Sequence, residues 1–302
     1  MRIFLVALSM AILLASVTAF PAESMRQDEE LLRGAYHRNL AGLSHNSFGL
    51  PLVLESVAQK GRVKVDVYGS FDFDFESIAE ALQDQSNWCD ILSLTPNVKA
   101  CTYQGEQDDW RLTLYLGRKR YQAPQETYPF VYRARKIVRR QGYLDIELWA
   151  DTGPFGTRDH RIGLAAMPLN GNRTFVHVKG AYRSSAVLRL AEKIYFATLG
   201  AGKVGFTVIG TNGSGDPIHI GGPRGAIERN AMRTYLAIQA FMSARHYPAA
   251  GVFPIRASTW YDLSDRYRLQ LFELEKEDYL VIKSNERKSQ EKLQREIDKA
   301  PP

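Results

Sequence analysis

The chain has 302 residues, 45% of them hydrophobic, and a formal net charge of +6 from 39 lysines and arginines against 33 aspartates and glutamates. That length makes one large domain, or one domain with appendages. A charge so modest, spread so thinly, excludes the dense basic patch that nucleic-acid binding demands.

The chain opens MRIFLVALSMAILLASVTAF, in which Arg2 precedes an apolar run from Ile3 to Ala15 and then Val17-Thr18-Ala19. This is the pattern of a secretory signal over residues 1–19, cut after Ala19. The run nears the lower limit for spanning a bilayer, but the Val-Thr-Ala site and the lack of a following stop-transfer cluster favour cleavage. No later window is long and apolar enough to span. Export to the periplasm or beyond the cell follows. There an oxidising compartment favours a Cys89–Cys101 disulfide over two buried thiols. Such a bridge closes CDILSLTPNVKAC and contributes about 3 kcal/mol in the chain-entropy account. No histidine lies nearby to complete a zinc set, so no metal is expected.

Residues 20–61 read as an N-terminal helical extension, built on QDEELLRGAYHRNLAGL and able to stop at Gly42. Then RVKVDVYGSF alternates, with Val63, Val65 and Val67 on one face, as a half-buried strand requires. DFESIAEALQDQSNWCDIL reads as two short helices with a turn at Ser86-Asn87. Six strands follow, over Asn97 to Tyr103, Trp110 to Tyr121, Tyr128 to Arg139, Tyr143 to Ala150, His160 to Met167 and Arg173 to Tyr182. Their short polar connections mark an antiparallel meander. Leu112, Leu114 and Leu116 share a face, as do Leu144, Ile146 and Leu148, so one side of the sheet reads as apolar and the other as wet. An amphipathic helix is expected from Ser184 to Leu199, then strand-like KVGFTVIGT and a glycine-rich turn. A second helix places Ile227, Ala231, Tyr235, Ile238 and Met242 on one stripe, suited to cover the apolar sheet face. Residues 254–302 read as a charged helical tail, separable from the sheet, with an apolar edge at Tyr267, Leu271, Leu274 and Ile282 for a protein partner.

This order, with IAEALQDQSNWCDI opening the helical pair, resembles the helix-grip fold of the START-like (SRPBCC) superfamily, which includes Bet v 1 proteins and aromatase/cyclase-type proteins. The resemblance runs from Arg62 to Ala244. It implies an α+β fold in which a curved antiparallel sheet wraps a long C-terminal helix, here a domain over 62–253. It also implies an apolar cavity between sheet and helix for a lipid, sterol, polyketide or other hydrophobic ligand. The insertion 183–222 departs from the family, whose last strand runs directly into the final helix. The chain's own patterning demands the same geometry, because one apolar sheet face needs one apolar helix stripe to cover it.

The inward phases nominate Tyr132, Leu148, Ile162, Tyr182, Tyr235 and Ile238 as ligand-lining residues. The loop ADTGPFGTRDH joins two strands at one end of the sheet, with Phe155 placed to act as an apolar lid and His160 on the inward phase as a polar ligand contact. Asp159 has the opposite phase, so the two form no dyad within the strand, and no catalytic residue is assigned. GGPRGAIERN lacks the Lys-Ser/Thr pair of a phosphate loop and reads as a helix entry, and no cofactor is expected. Arg133 and Arg135 point outward, as a solvated face or a contact for an anionic membrane surface. The expected function is an exported protein that binds a hydrophobic small molecule. The alternatives are a cyclase- or hydrolase-type enzyme using His160, and an envelope scaffold with a filled cavity.

Overall fold

Strict alternation over six successive segments can satisfy its backbone only as a sheet, and the computed structural model, which describes residues 20–105, 109–184, 202–248 and 251–300, shows that sheet. The expected signal, and the expected 184–199 helix beyond Ser184, lie outside the described residues. In chain order the elements are α1 (Phe20–Ser44), β1 (Leu52–Gln59), β2 (Arg62–Phe71), α2 (Phe75–Leu82), α3 (Gln85–Leu92), β3 (Val98–Gln104), β4 (Arg111–Leu116), β5 (Tyr128–Arg140), β6 (Tyr143–Thr152), β7 (Arg158–Leu169) and β8 (Arg173–Arg183). A small hairpin, β9 (Val208–Thr211) and β10 (Pro217–His219), precedes α4 (Gly222–Ser243), α5 (Val252–Asp265), α6 (Arg268–Leu271) and α7 (Lys276–Lys299).

Eight strands form one antiparallel sheet in the order β1-β2-β8-β7-β6-β5-β4-β3. The sheet grips α4, which packs on β1, β2 and β8. Ile227, Ala231, Tyr235, Ile238 and Met242 are all buried, as the stripe requires. This is the helix-grip arrangement that the resemblance implies. Asp74 and Asp84 start α2 and α3 by accepting from the backbone nitrogens of Ser77 and Ser86, both at 2.8 Å. The Cys89–Cys101 disulfide ties α3 to β3, with the two Cα atoms 5.0 Å apart.

Three expectations are corrected. The extension over 20–61 is a helix followed by a strand: Lys60 and Gly61 both take positive φ, 51° and 78°, as a type I′ hairpin between β1 and β2 requires. The outer sheet face is wet only in part. Leu32, Ala35 and Leu43 of α1 bury themselves against Tyr68, Tyr143, Ala165, Met167 and Phe175, a second core on that face. Beneath α1, Asp145 is buried but accepts from Lys136 (2.7 Å) and Lys179 (2.8 Å).

The third correction concerns the tail over 254–302, which is part of the fold. Leu271 and Tyr279 are buried in the main core, and Tyr267 Oη donates to Phe48 O at 2.8 Å. Helix α7 lies along the open edge of β3 and closes it with side chains. Gln290 Oε1 accepts from Cys101 N (2.8 Å), while Gln294 accepts from Tyr103 N (2.9 Å) and donates to Tyr103 O (3.0 Å). Two turns earlier, Lys283 donates to Thr95 O (2.8 Å), Val98 O (2.9 Å) and Glu286 (2.7 Å), and Lys99 donates to the other Glu286 oxygen at 2.8 Å. An apolar edge once expected to meet a partner is used within the chain.

Candidate functional site

Helix α4 packs tightly on one half of the sheet and stands off the other, and the space left is a cavity of about 760 Å³. Its sheet wall comes from β4, β5, β7 and β8, with Leu114, Phe130, Tyr132, Ile162, Val178 and Tyr182, and Val65 of β2 joins them. Ile227, Asn230, Ala231, Arg233 and Thr234 of α4 face them. The volume falls within the range of about 300–1,000 Å³ usual for small-molecule sites, and the lining is mostly apolar with a few convergent polar groups, as such sites are built.

Of the residues nominated from sequence, Tyr132, His160, Ile162 and Tyr182 lie in this wall. Leu148, Tyr235 and Ile238 do not: all three sit in the packed core. Tyr235 shows why. Its ring lies over Gly69, where a Cβ would collide with it, and 4.8 Å from the ring of Phe71, so the C-terminal half of α4 is pressed directly onto β2. The Phe155 side chain lies outside the described residues, although its neighbour Pro154 lines the cavity. Sequence reading missed Arg118, Asn230 and Arg233, also in the wall.

His160 is held at the mouth between aromatic rings, with Phe130 at 5.0 Å and Tyr182 stacked at 5.4 Å. Gly153 leaves the room its ring occupies. The Thr157 hydroxyl donates to Pro154 O at 2.6 Å, so its oxygen must accept from His160 Nε2, also at 2.6 Å. With the Thr157 proton placed there, the neutral ring carries its own proton on Nε2. Burial strips water from the ring and pulls its pKa down to about 4, with Asp159 opposing weakly. Asp159 itself turns away to Arg183 at 3.4 Å. Tyr132 is likewise desolvated, which raises its phenol pKa above the ordinary value. Among the described residues, no three His, Cys, Asp or Glu side chains converge to hold a metal ion.

On the outward phase of the sheet, register aligns Arg111, Arg133, Trp149 and Arg161 in one row across β4, β5, β6 and β7, with Arg161 also bordering the cavity. Arg135 and Arg161 cover the Trp149 ring, 4.7 and 4.6 Å from its centroid.

No family model matches the chain, and no curated protein matches it. Among solved structures it is similar to the Zhui aromatase/cyclase from Streptomyces sp. R1128, at 15% identity over 63% of this chain and 98% of that one, with a TM-score of 0.39. It is also similar to human StAR-related lipid transfer protein 5, at 12% identity over 74% and 100% of the two chains, with a TM-score of 0.35. Likenesses this loose add nothing to the architecture that the strands and helices show directly.

Proposed function

We propose that this is an exported protein that holds a hydrophobic small molecule, a lipid or sterol in class, between its sheet and α4. The cavity itself carries the reading. An open cavity of about 760 Å³ lined mostly by apolar side chains leaves that surface wet until a hydrophobic molecule of matching size covers it, which is a favourable exchange. A neutral probe such as N-phenyl-1-naphthylamine should bind saturably at one site per chain, and Ile162→Trp, which fills the wall, should abolish that binding while the protein stays folded. Absence of saturable binding, or binding indifferent to the variant, overturns the reading.

The Cys89–Cys101 disulfide supports export, since such bridges persist in oxidising compartments. N-terminal sequencing of protein from its native host should begin at Phe20; a chain beginning at Met1 refutes cleavage. The row of Arg111, Arg133, Trp149 and Arg161 supports peripheral contact with an anionic membrane surface. Co-sedimentation with phosphatidylglycerol vesicles, and none with phosphatidylcholine vesicles, is the expected result, and equal or no binding to the two refutes it.

A further inference from the structure

Behind the α4 wall, three cations share one carboxylate. The Glu273 carboxylate, its side chain 5% exposed, accepts from Arg233 at 2.6 Å, from Lys203 at 2.8 Å and from Lys119. Three positive charges and one negative leave a formal surplus of two. A surplus at a partly buried site, where water screens weakly, attracts anions more strongly than the same charges on an open surface.

Arg233 carries that surplus into the cavity. The residue is 5% exposed; its Nη2 donates to Glu273 and to Leu271 O (3.4 Å), yet its Nε, also buried, has no hydrogen-bond partner. Native structures rarely leave a buried donor unmade, least of all on a cation. Asn230 and Thr234 stand within a turn of it on the same wall.

The remaining charged wall residues sharpen the picture. Among the described residues lining the cavity, Arg118, Arg161, Lys179 and Arg233 are cationic, and Glu126 is the acid. Lys179 is tied to Asp145, and Arg161 stacks on Trp149. Arg118 and Arg233 thus keep donors for a ligand, while Val65, Phe130, Ile162 and Val178 supply the apolar surface. A guanidinium fork matches the oxygens of a carboxylate or a phosphate.

We infer that the cavity takes an amphiphile with an oxyanion head, a carboxylate or a phosphate monoester, whose head meets Arg118 and the guanidinium of Arg233 and whose chain lies on the apolar strands. This rests on the reading of the cavity as a ligand site. Calorimetric titration of the full mature chain with dodecanoate, dodecyl phosphate and dodecanol tests it. At least one of the two anions should bind tenfold or more tightly than the alcohol, and the tighter anion identifies the head. Equal binding of all three overturns the inference and leaves the cavity reading intact; binding of none overturns both. Arg233→Gln and Arg118→Gln should each lower anion affinity at least threefold with dodecanol unchanged. Should Arg233→Gln fail to fold, Arg118→Gln at its exposed position decides: an unchanged anion-to-alcohol ratio overturns the assignment.

Discussion

Replacing Glu286 by glutamine keeps the shape of that side chain and leaves two buried ammonium groups without their anion. Lys99 and Lys283, 0% and 1% exposed, lie 2.8 and 2.7 Å from its two carboxylate oxygens. Each retains backbone carbonyl partners, Pro96 O for Lys99 and Thr95 O with Val98 O for Lys283. Those dipoles orient the ammonium groups but do not neutralise them. Breaking a buried pair from one side costs about 3–5 kcal/mol, and here one carboxylate serves two cations, so Glu286→Gln should fall in the upper part of that range at pH 7. The dependence on pH separates this account from a packing defect. Burial pulls Lys283 down from 10.5 to about 8, with Glu286 opposing and Lys99 assisting. Between those two values the unfolded chain binds more protons than the folded one, so native stability rises with pH, by at most about 1.4 kcal/mol per unit. Without Glu286 the folded lysine sheds its proton at a still lower pH, so the gap between native and variant narrows as pH rises to about 8 and levels off once the native Lys283 is also neutral. Above pH 10, buried tyrosines such as Tyr68, raised to about 12, reverse the rise of native stability. Urea unfolding at pH 7, 8.5 and 10 measures both effects. A loss under about 1 kcal/mol at pH 7, or a gap that stays constant with pH, refutes the reasoning.

Thiol labelling of denatured, non-reduced protein from its native compartment should find no reactive cysteine, and reduction should cost about 3 kcal/mol for a loop of this separation, 12 residues. His160, held near a pKa of about 4 against 6.5 unfolded, should keep its neutral ring signals by NMR down to about pH 5. Its contribution to stability is present above pH 6.5 and is lost as pH falls toward 4, and a midpoint near 6.5 would mean a hydrated ring. Deleting α7 after Leu274 should remove the cooperative thermal transition, because Lys99, Cys101 and Tyr103 lose the side chains that satisfy them. A truncated chain that unfolds cooperatively near the native temperature would return residues 276–299 to the status of an appendage.

The strands were legible because alternation with a period of two leaves a clear trace, and β3 and β5 to β8 fall within two residues of their expected limits, whereas β4 ends at Leu116 instead of Tyr121. Strand β1 was not, since LVLESVAQ buries little beyond Leu52 and declares itself through its register with β2. The outer core was written in the unbroken run Leu164-Ala165-Ala166-Met167, apolar on both phases, which a sheet with one wet face would not carry. Phase identified Tyr132, His160, Ile162 and Tyr182 as inward, but it says nothing of position along the helix axis. Leu148, Tyr235 and Ile238 share their phase and meet packed core instead. Hydropathy hid the docking face of α7 altogether, because Lys283, Glu286 and Gln290 are polar residues whose partners lie far away in sequence. For the same reason Arg233, set beside an apolar stripe, carries no mark in the sequence of its buried place.

The closure of β3 by side chains of α7 has a consequence for the order in which the molecule can be completed. Cys101 and Gln290 are 189 residues apart in sequence, so during synthesis or secretion the strand emerges long before the glutamines that cover it. Until then its amide and carbonyl groups face outward as a template for any passing strand, the state in which partly folded chains pair wrongly with one another. The most exposed interval in the life of this protein is therefore the passage of its last helix, and a chain stalled before residue 290 carries a sheet with an open, adhesive border.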